Sequence, residues 1–93
     1  MSETREIWKF PLQIEHEQCL MMPTNPEYLS AQFQNGQLCV WAMIEPDNLK
    51  RQYKFFIVGT GHKVPDNVGA YIGTVQQLPH NLVWHVFGEE TLS

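Results

Sequence analysis

Residues 29–44 read Leu29-Ser30-Ala31-Gln32-Phe33-Gln34-Asn35-Gly36-Gln37-Leu38-Cys39-Val40-Trp41-Ala42-Met43-Ile44. Leu29, Ala31 and Phe33 alternate with Ser30, Gln32 and Gln34. Successive side chains of a strand point to opposite faces, so this is a strand with one apolar face. Asn35-Gly36 follows at once and readily supplies the two positive-φ positions of a type I′ turn. The return strand, Gln37 to Ile44, is apolar on both faces. Leu38, Val40, Ala42 and Ile44 form one row; Cys39, Trp41 and Met43 form the other. Such a strand lies between two layers or faces a partner. The stretch predicts an antiparallel hairpin at the centre of an all-β domain.

The flanking sequence extends this pattern. Trp8, Phe10, Leu12 and Ile14 alternate with polar residues and predict a first strand. Pro11 has no N–H to give a ladder, which points to an edge position or a bulge. A short strand is expected over Gln18 to Met22, then a loop at Pro23 and Pro26. Glu45-Pro46-Asp47-Asn48 is a turn cluster. Gln52 to Thr60 reads as another strand, followed by a glycine-bearing connection from Gly59 to Gly69. Tyr71 to Leu78 and Leu82 to Phe87 pair as a second hairpin across Pro79-His80-Asn81. Residues 24–30 and 46–52 leave room for one helical turn each. Six or seven short strands predict a small antiparallel sandwich or barrel. The chain reads as one β domain over residues 1–93, with an ordered core over about 7–88 and a polar tail over 89–93.

Charge narrows the partners. Six basic and ten acidic residues give a net charge of -4. Duplex binding draws its affinity from neutralised phosphates and needs a basic surface. Lys50, Arg51 and Lys54 are the one basic cluster, so nonspecific nucleic-acid binding is not expected. A few local cations still suffice for one small anionic ligand. The N-terminus has no apolar leader, and no stretch approaches the ~18 apolar residues of a membrane helix. The expected compartment is the cytoplasm, where Cys19 and Cys39 stay reduced, as two small buried side chains in apolar runs.

The stretch Gly59-Thr60-Gly61-His62-Lys63 is the most suggestive chemically. Its glycines let backbone approach a ligand, and consecutive N–H groups can form an anion-binding nest. The alternative is a turn whose glycines only satisfy geometry. The spacing matches neither a P-loop nor a dinucleotide fingerprint. His16-x-x-Cys19 has a ligand-like spacing but no second pair, so no metal is assigned. His85 shares a row with Val83 and Phe87 and reads as a hydrogen-bonded core histidine; His80 falls in a turn. Of the serines, Ser2 and Ser93 are terminal and Ser30 has no local motif. The pattern supplies no nucleophile–base set, catalytic residue or cofactor, and points to binding rather than turnover. The second row of the 37–44 strand, Cys39, Trp41 and Met43, is the expected interface of a homo-oligomer.

Ile7-Trp8-Lys9-Phe10-Pro11-Leu12, Gln34-Asn35-Gly36-Gln37, Trp41-Ala42, Gly59-Thr60-Gly61-His62, Tyr71-Ile72-Gly73-Thr74 and His85-Val86-Phe87 occur in this order. Together they resemble a family of small proteins of unassigned activity from tailed bacteriophages and prophages. The resemblance spans about residues 7–88. It implies action inside a bacterial host cell, as an accessory protein that binds a host protein or a small anionic, nucleotide-like ligand. Sequestering a signalling nucleotide to counter host defence is one such role. For that ligand, Gly59, Thr60, Gly61, His62 and Lys63 would contact phosphate, Tyr71 would stack a base, and Arg51 and Lys54 would add charge. A minor structural or assembly protein of the phage particle is an alternative, and a small hydrolase another.

Overall fold

The computed structural model describes residues 4–91. Its strands are β1 (Glu6–Pro11), β2 (Glu17–Pro23), β3 (Glu27–Gln34), β4 (Gln37–Ile44), β5 (Lys50–Gly59), β6 (Ala70–Gln77) and β7 (Leu82–Gly88). They form two antiparallel sheets, β1-β4-β3 and β2-β5-β7-β6, packed as a sandwich rather than a closed barrel. No described residue is helical, so the short helical turns allowed over 24–30 and 46–52 do not form. No helix here is long and apolar enough to cross a membrane.

The β3–β4 hairpin forms as its sequence predicts. Gln34 pairs with Gln37 across Asn35 (φ 52°) and Gly36 (φ 79°), both in the left-handed region a type I′ turn requires. β4 is the middle strand of its sheet. Leu38, Val40, Ala42 and Ile44 are each at most 1 % exposed and form the floor of the core. Burying a side chain of this size contributes about 1.5–3 kcal/mol for the larger ones. β1 pairs on the other side, with Pro11 the last residue of an edge strand.

In this first sheet one row departs from strict alternation. Tyr28 pairs with Ala42 and Ser30 with Trp41, so Leu29 is the extra residue of a β-bulge. A bulge shifts the inward phase by one residue. Tyr28 therefore packs into the core, edge-on to Phe55 at 5.5 Å, while Leu29 is 40 % exposed. The expected inward row of Leu29, Ala31 and Phe33 is corrected to Tyr28, Ala31 and Phe33.

In the second sheet, β5 sends Tyr53, Phe55 and Ile57 into the shared core. Phe56 and Val58 point the other way, yet each is only 2 % exposed. β5 and β6 flank β7 and run in the same direction. Gly59 lies beside Trp84 and Ala70 beside Gly88, at opposite ends of β7. The 60–69 connection must therefore return along the sheet, and the His16 ring, edge-on to Phe56 at 6.0 Å, covers part of the outer face. Where β3 meets β6, Ala31 and Gly73 are small enough for close approach: a Cβ on Gly73 would stand 3.5 Å from that of Ala31.

Residues 89–91, read from sequence as the start of a polar tail, are bonded to both sheets. Glu89 N–H donates to Lys54 O at 2.8 Å, and Tyr28 O–H donates to Glu89 O at 2.6 Å. Thr91 Oγ1 shares a hydrogen bond with the Tyr53 hydroxyl. Leu92 and Ser93 lie outside the described residues.

Candidate ligand crevice

β5 ends in a tight turn. His62 N–H donates to Gly59 O at 3.0 Å, and Gly61 takes a φ of 90° that favours glycine. The turn folds the His62 ring back over Gly59, whose partner across the ladder is Trp84. A Cβ on Gly59 would stand 3.2 Å from both the His62 ring and the Trp84 indole. The missing side chain is what lets the two rings approach. Between this turn and the β6–β7 turn lies a crevice of about 310 Å³, lined by Gly59, Thr60, His62, Asn81, Leu82, Val83 and Trp84. Trp84 is half-buried, and its Nε1–H donates to Gln77 Oε1 at 2.9 Å, which fixes the indole. A ring wall with a few polar groups at its mouth is the usual composition of a small-molecule site.

Thr60 also faces the outer surface, where a chain of hydroxyls and one imidazole runs from the end of β5 over β7 to β6, so His85 is hydrogen-bonded but on the outer face rather than in the core. Thr60 Oγ1 is 2.8 Å from His85 Nε2, and His85 Nδ1 is 3.0 Å from Thr74 Oγ1. Thr74 Oγ1 is 2.5 Å from the Tyr71 hydroxyl. A hydroxyl can donate or accept, so the chain is satisfied with either imidazole tautomer. Tyr71 is 59 % exposed, with its ring edge-on to Phe87 at 5.6 Å.

The residues expected at a ligand site thus separate. Gly59, Thr60 and His62 line the crevice; Gly61 and Lys63 belong to the same turn and are exposed. Tyr71 reaches this end only through Thr74 and His85. Arg51 and Lys54 do not reach it. A strand rises about 3.3 Å per residue, so Arg51 sits roughly 26 Å along β5 from Gly59. Arg51 lies over the Tyr53 ring at 4.4 Å and pairs with Glu89 at 3.4 Å; Lys54 pairs with Glu17 at 3.2 Å. Proximity in sequence misleads here because an extended strand separates neighbours fastest.

Trp84, Leu82, Val83 and Asn81 were not singled out as ligand contacts. The missing signal was register: only the β5–β7 ladder puts Trp84 beside Gly59. Cys19, expected to be buried, is exposed on the edge strand β2. On the other sheet, Cys39 is 1 % exposed, buried by its own chain, with Sγ 3.5 Å from Gln37 O. Trp41 and Met43 are half-buried, and Met43 pairs with Ile7, which is 60 % exposed. Ser2 and Ser93 lie outside the described residues. Among the described residues no group of three or more His, Cys, Asp and Glu side chains is placed to hold a metal ion.

Fold and crevice together define a small two-sheet antiparallel β-sandwich with a ring-walled cleft at one end. Residues 3–92 match the family described as Domain of unknown function (DUF7352), and the chain belongs to that family. No curated protein and no solved structure matches the chain.

Proposed function

We propose that this protein is a non-catalytic binding module whose crevice takes the planar ring of a small anionic, nucleotide-like ligand. The observation that carries the reading is the approach of the His62 and Trp84 rings over Gly59 at the mouth of a formed cavity. A base against an indole gains about 1–3 kcal/mol. The exposed turn through Gly61 and Lys63 supplies N–H groups and one cation for a phosphate. Arg51 and Lys54 lie outside this site. The resemblance to phage and prophage proteins fits a role in the host cytoplasm, sequestering a signalling nucleotide against host defence. The apolar row of Ile7, Trp41 and Met43 fits self-association, which sedimentation at increasing concentration would reveal as a mass above that of the monomer.

The test replaces Trp8 and Trp41 by Phe so that Trp84 is the sole tryptophan, excited selectively over the tyrosines. Cyclic di- and trinucleotides and ADP-ribose derivatives are then titrated, with calorimetry on the unaltered chain. Quenching of Trp84 and binding heat should saturate together. Neither signal at ~50 μM protein, which corresponds to ~-6 kcal/mol, would sink the reading.

One contact favours a second reading, that of a small hydrolase. The Thr60 hydroxyl and His85 Nε2 are at nucleophile–base distance, with Thr74 orienting the far nitrogen. The orienting group is a neutral hydroxyl, not a carboxylate, and so stabilises an imidazolium less. Loss of ester turnover in both Thr60→Ala and His85→Gln would support it; turnover equal to that of the unaltered chain would remove it.

A further inference from the structure

His62 and Trp84 wall two cavities, not one. Beside the crevice they line a second, of about 220 Å³, with Ile14, Glu15, His16 and Ile57. The connection between β1 and β2 brings residues 14–16 to this place, and it is firmly held. The Gln18 side chain accepts from Gln13 N–H at 2.9 Å and donates to Gln13 O at 2.8 Å. Ile57 N–H donates to His16 O at 3.1 Å, and the His16 ring stands edge-on to Phe56 at 6.0 Å. Glu15 is therefore fixed at the rim of a cavity whose other walls are rings and aliphatic side chains.

Glu15 has no ion-pair or hydrogen-bond partner among the described residues. A carboxylate only accepts, and its two oxygens suit two parallel N–H donors. A ring entering the second cavity against Trp84 and His62 would meet that acceptor pair with its edge. Guanine presents two N–H donors side by side on its Watson–Crick edge. Adenine presents one donor beside one acceptor, and the acceptor would face a carboxylate oxygen. Enzymes that hold an extruded base read it in this way, by stacking plus hydrogen bonds to that edge.

We infer that Glu15 reads the ring edge, so that the paired cavities select a guanine-type base over an adenine-type one. This rests on the nucleotide reading above and adds a specificity residue to it. Glu15 is exposed, so Glu15→Gln should leave the fold intact, which circular dichroism checks.

Calorimetry with GMP, IMP and AMP gives the test. GMP should bind about tenfold more tightly than AMP, the value of one hydrogen bond to a charged group. IMP keeps N1–H but lacks the 2-amino group, and should fall between them. Glutamine offers one donor and one acceptor, so in Glu15→Gln the GMP/AMP ratio should drop to within about twofold. Equal binding of GMP and AMP by the unaltered chain would overturn the inference and leave the binding reading standing. So would a GMP preference that survives Glu15→Gln. No binding of any nucleotide, cyclic ones included, would overturn both.

Discussion

A Cβ on Gly88 would stand 2.9 Å from Ile72 Cδ1 and from the Tyr28 ring, both of which pack against the core. Neither neighbour is a flexible tip free to move into solvent. Gly88→Ala should therefore destabilise by about 1–3 kcal/mol through overpacking, read as a lower urea midpoint at unchanged slope. Tyr28 itself makes a second prediction. Burial first, then the nearby Tyr53, Glu89 and Glu90, hold its phenol well above the ordinary tyrosine value of 10.0. The folded state thus keeps the proton that the unfolded state releases near pH 10. Its contribution is complete below that pH and is lost as pH rises toward the higher folded value. Tyr28→Phe removes the 2.6 Å bond to Glu89 O and should cost about 1 kcal/mol at pH 7. The unaltered chain should lose stability in urea titrations above pH 10, and the variant should lose less.

At the scale of elements, the β3–β4 hairpin isolates a backbone effect. A Cβ on Gly36 would meet nothing within 4 Å, so only its φ of 79° resists a side chain. Gly36→Ala should cost about 1–2 kcal/mol, the penalty for a left-handed L-residue, measurable by thermal unfolding. That hairpin was legible because period two and a two-residue turn are local signals. The Leu29 bulge was not, because one added residue leaves no mark in a period of two. Nor was the order of β5, β7 and β6 legible: a return path over 60–69 looks in sequence like any loop. Gly59, Thr60 and His62 could be picked out from the glycine-bearing turn. Trp84 and Glu15 could not, since register and the pinning of the 13–18 loop bring them there.

At the scale of the whole molecule, the β1–β2, β2–β3 and β4–β5 connections link the two sheets covalently, and the C-terminal segment adds a further tie. Residues 89–91 bind across them, to Asn25, Tyr28, Tyr53 and Lys54. With about 1 kcal/mol per bond, truncation after Gly88 should cost about 3–5 kcal/mol. Chemical denaturation of the truncated chain measures it, and a loss below that of Tyr28→Phe alone would contradict this account of the segment.

The sheet order also sets a timetable. β3–β4 and β6–β7 are the hairpins that can close locally; β1 must find β4, and β2 must find β5, across long intervening chain. Chains dominated by distant pairings fold over milliseconds to seconds, because loop-closure entropy precedes any reward. The cleft and the cavity beside it draw together on residues 14–16, 59–62 and 81–84, supplied by three separate parts of the chain. They need the distant β2–β5 and β5–β7 pairings, so their occupation is a clock for the completion of that sheet.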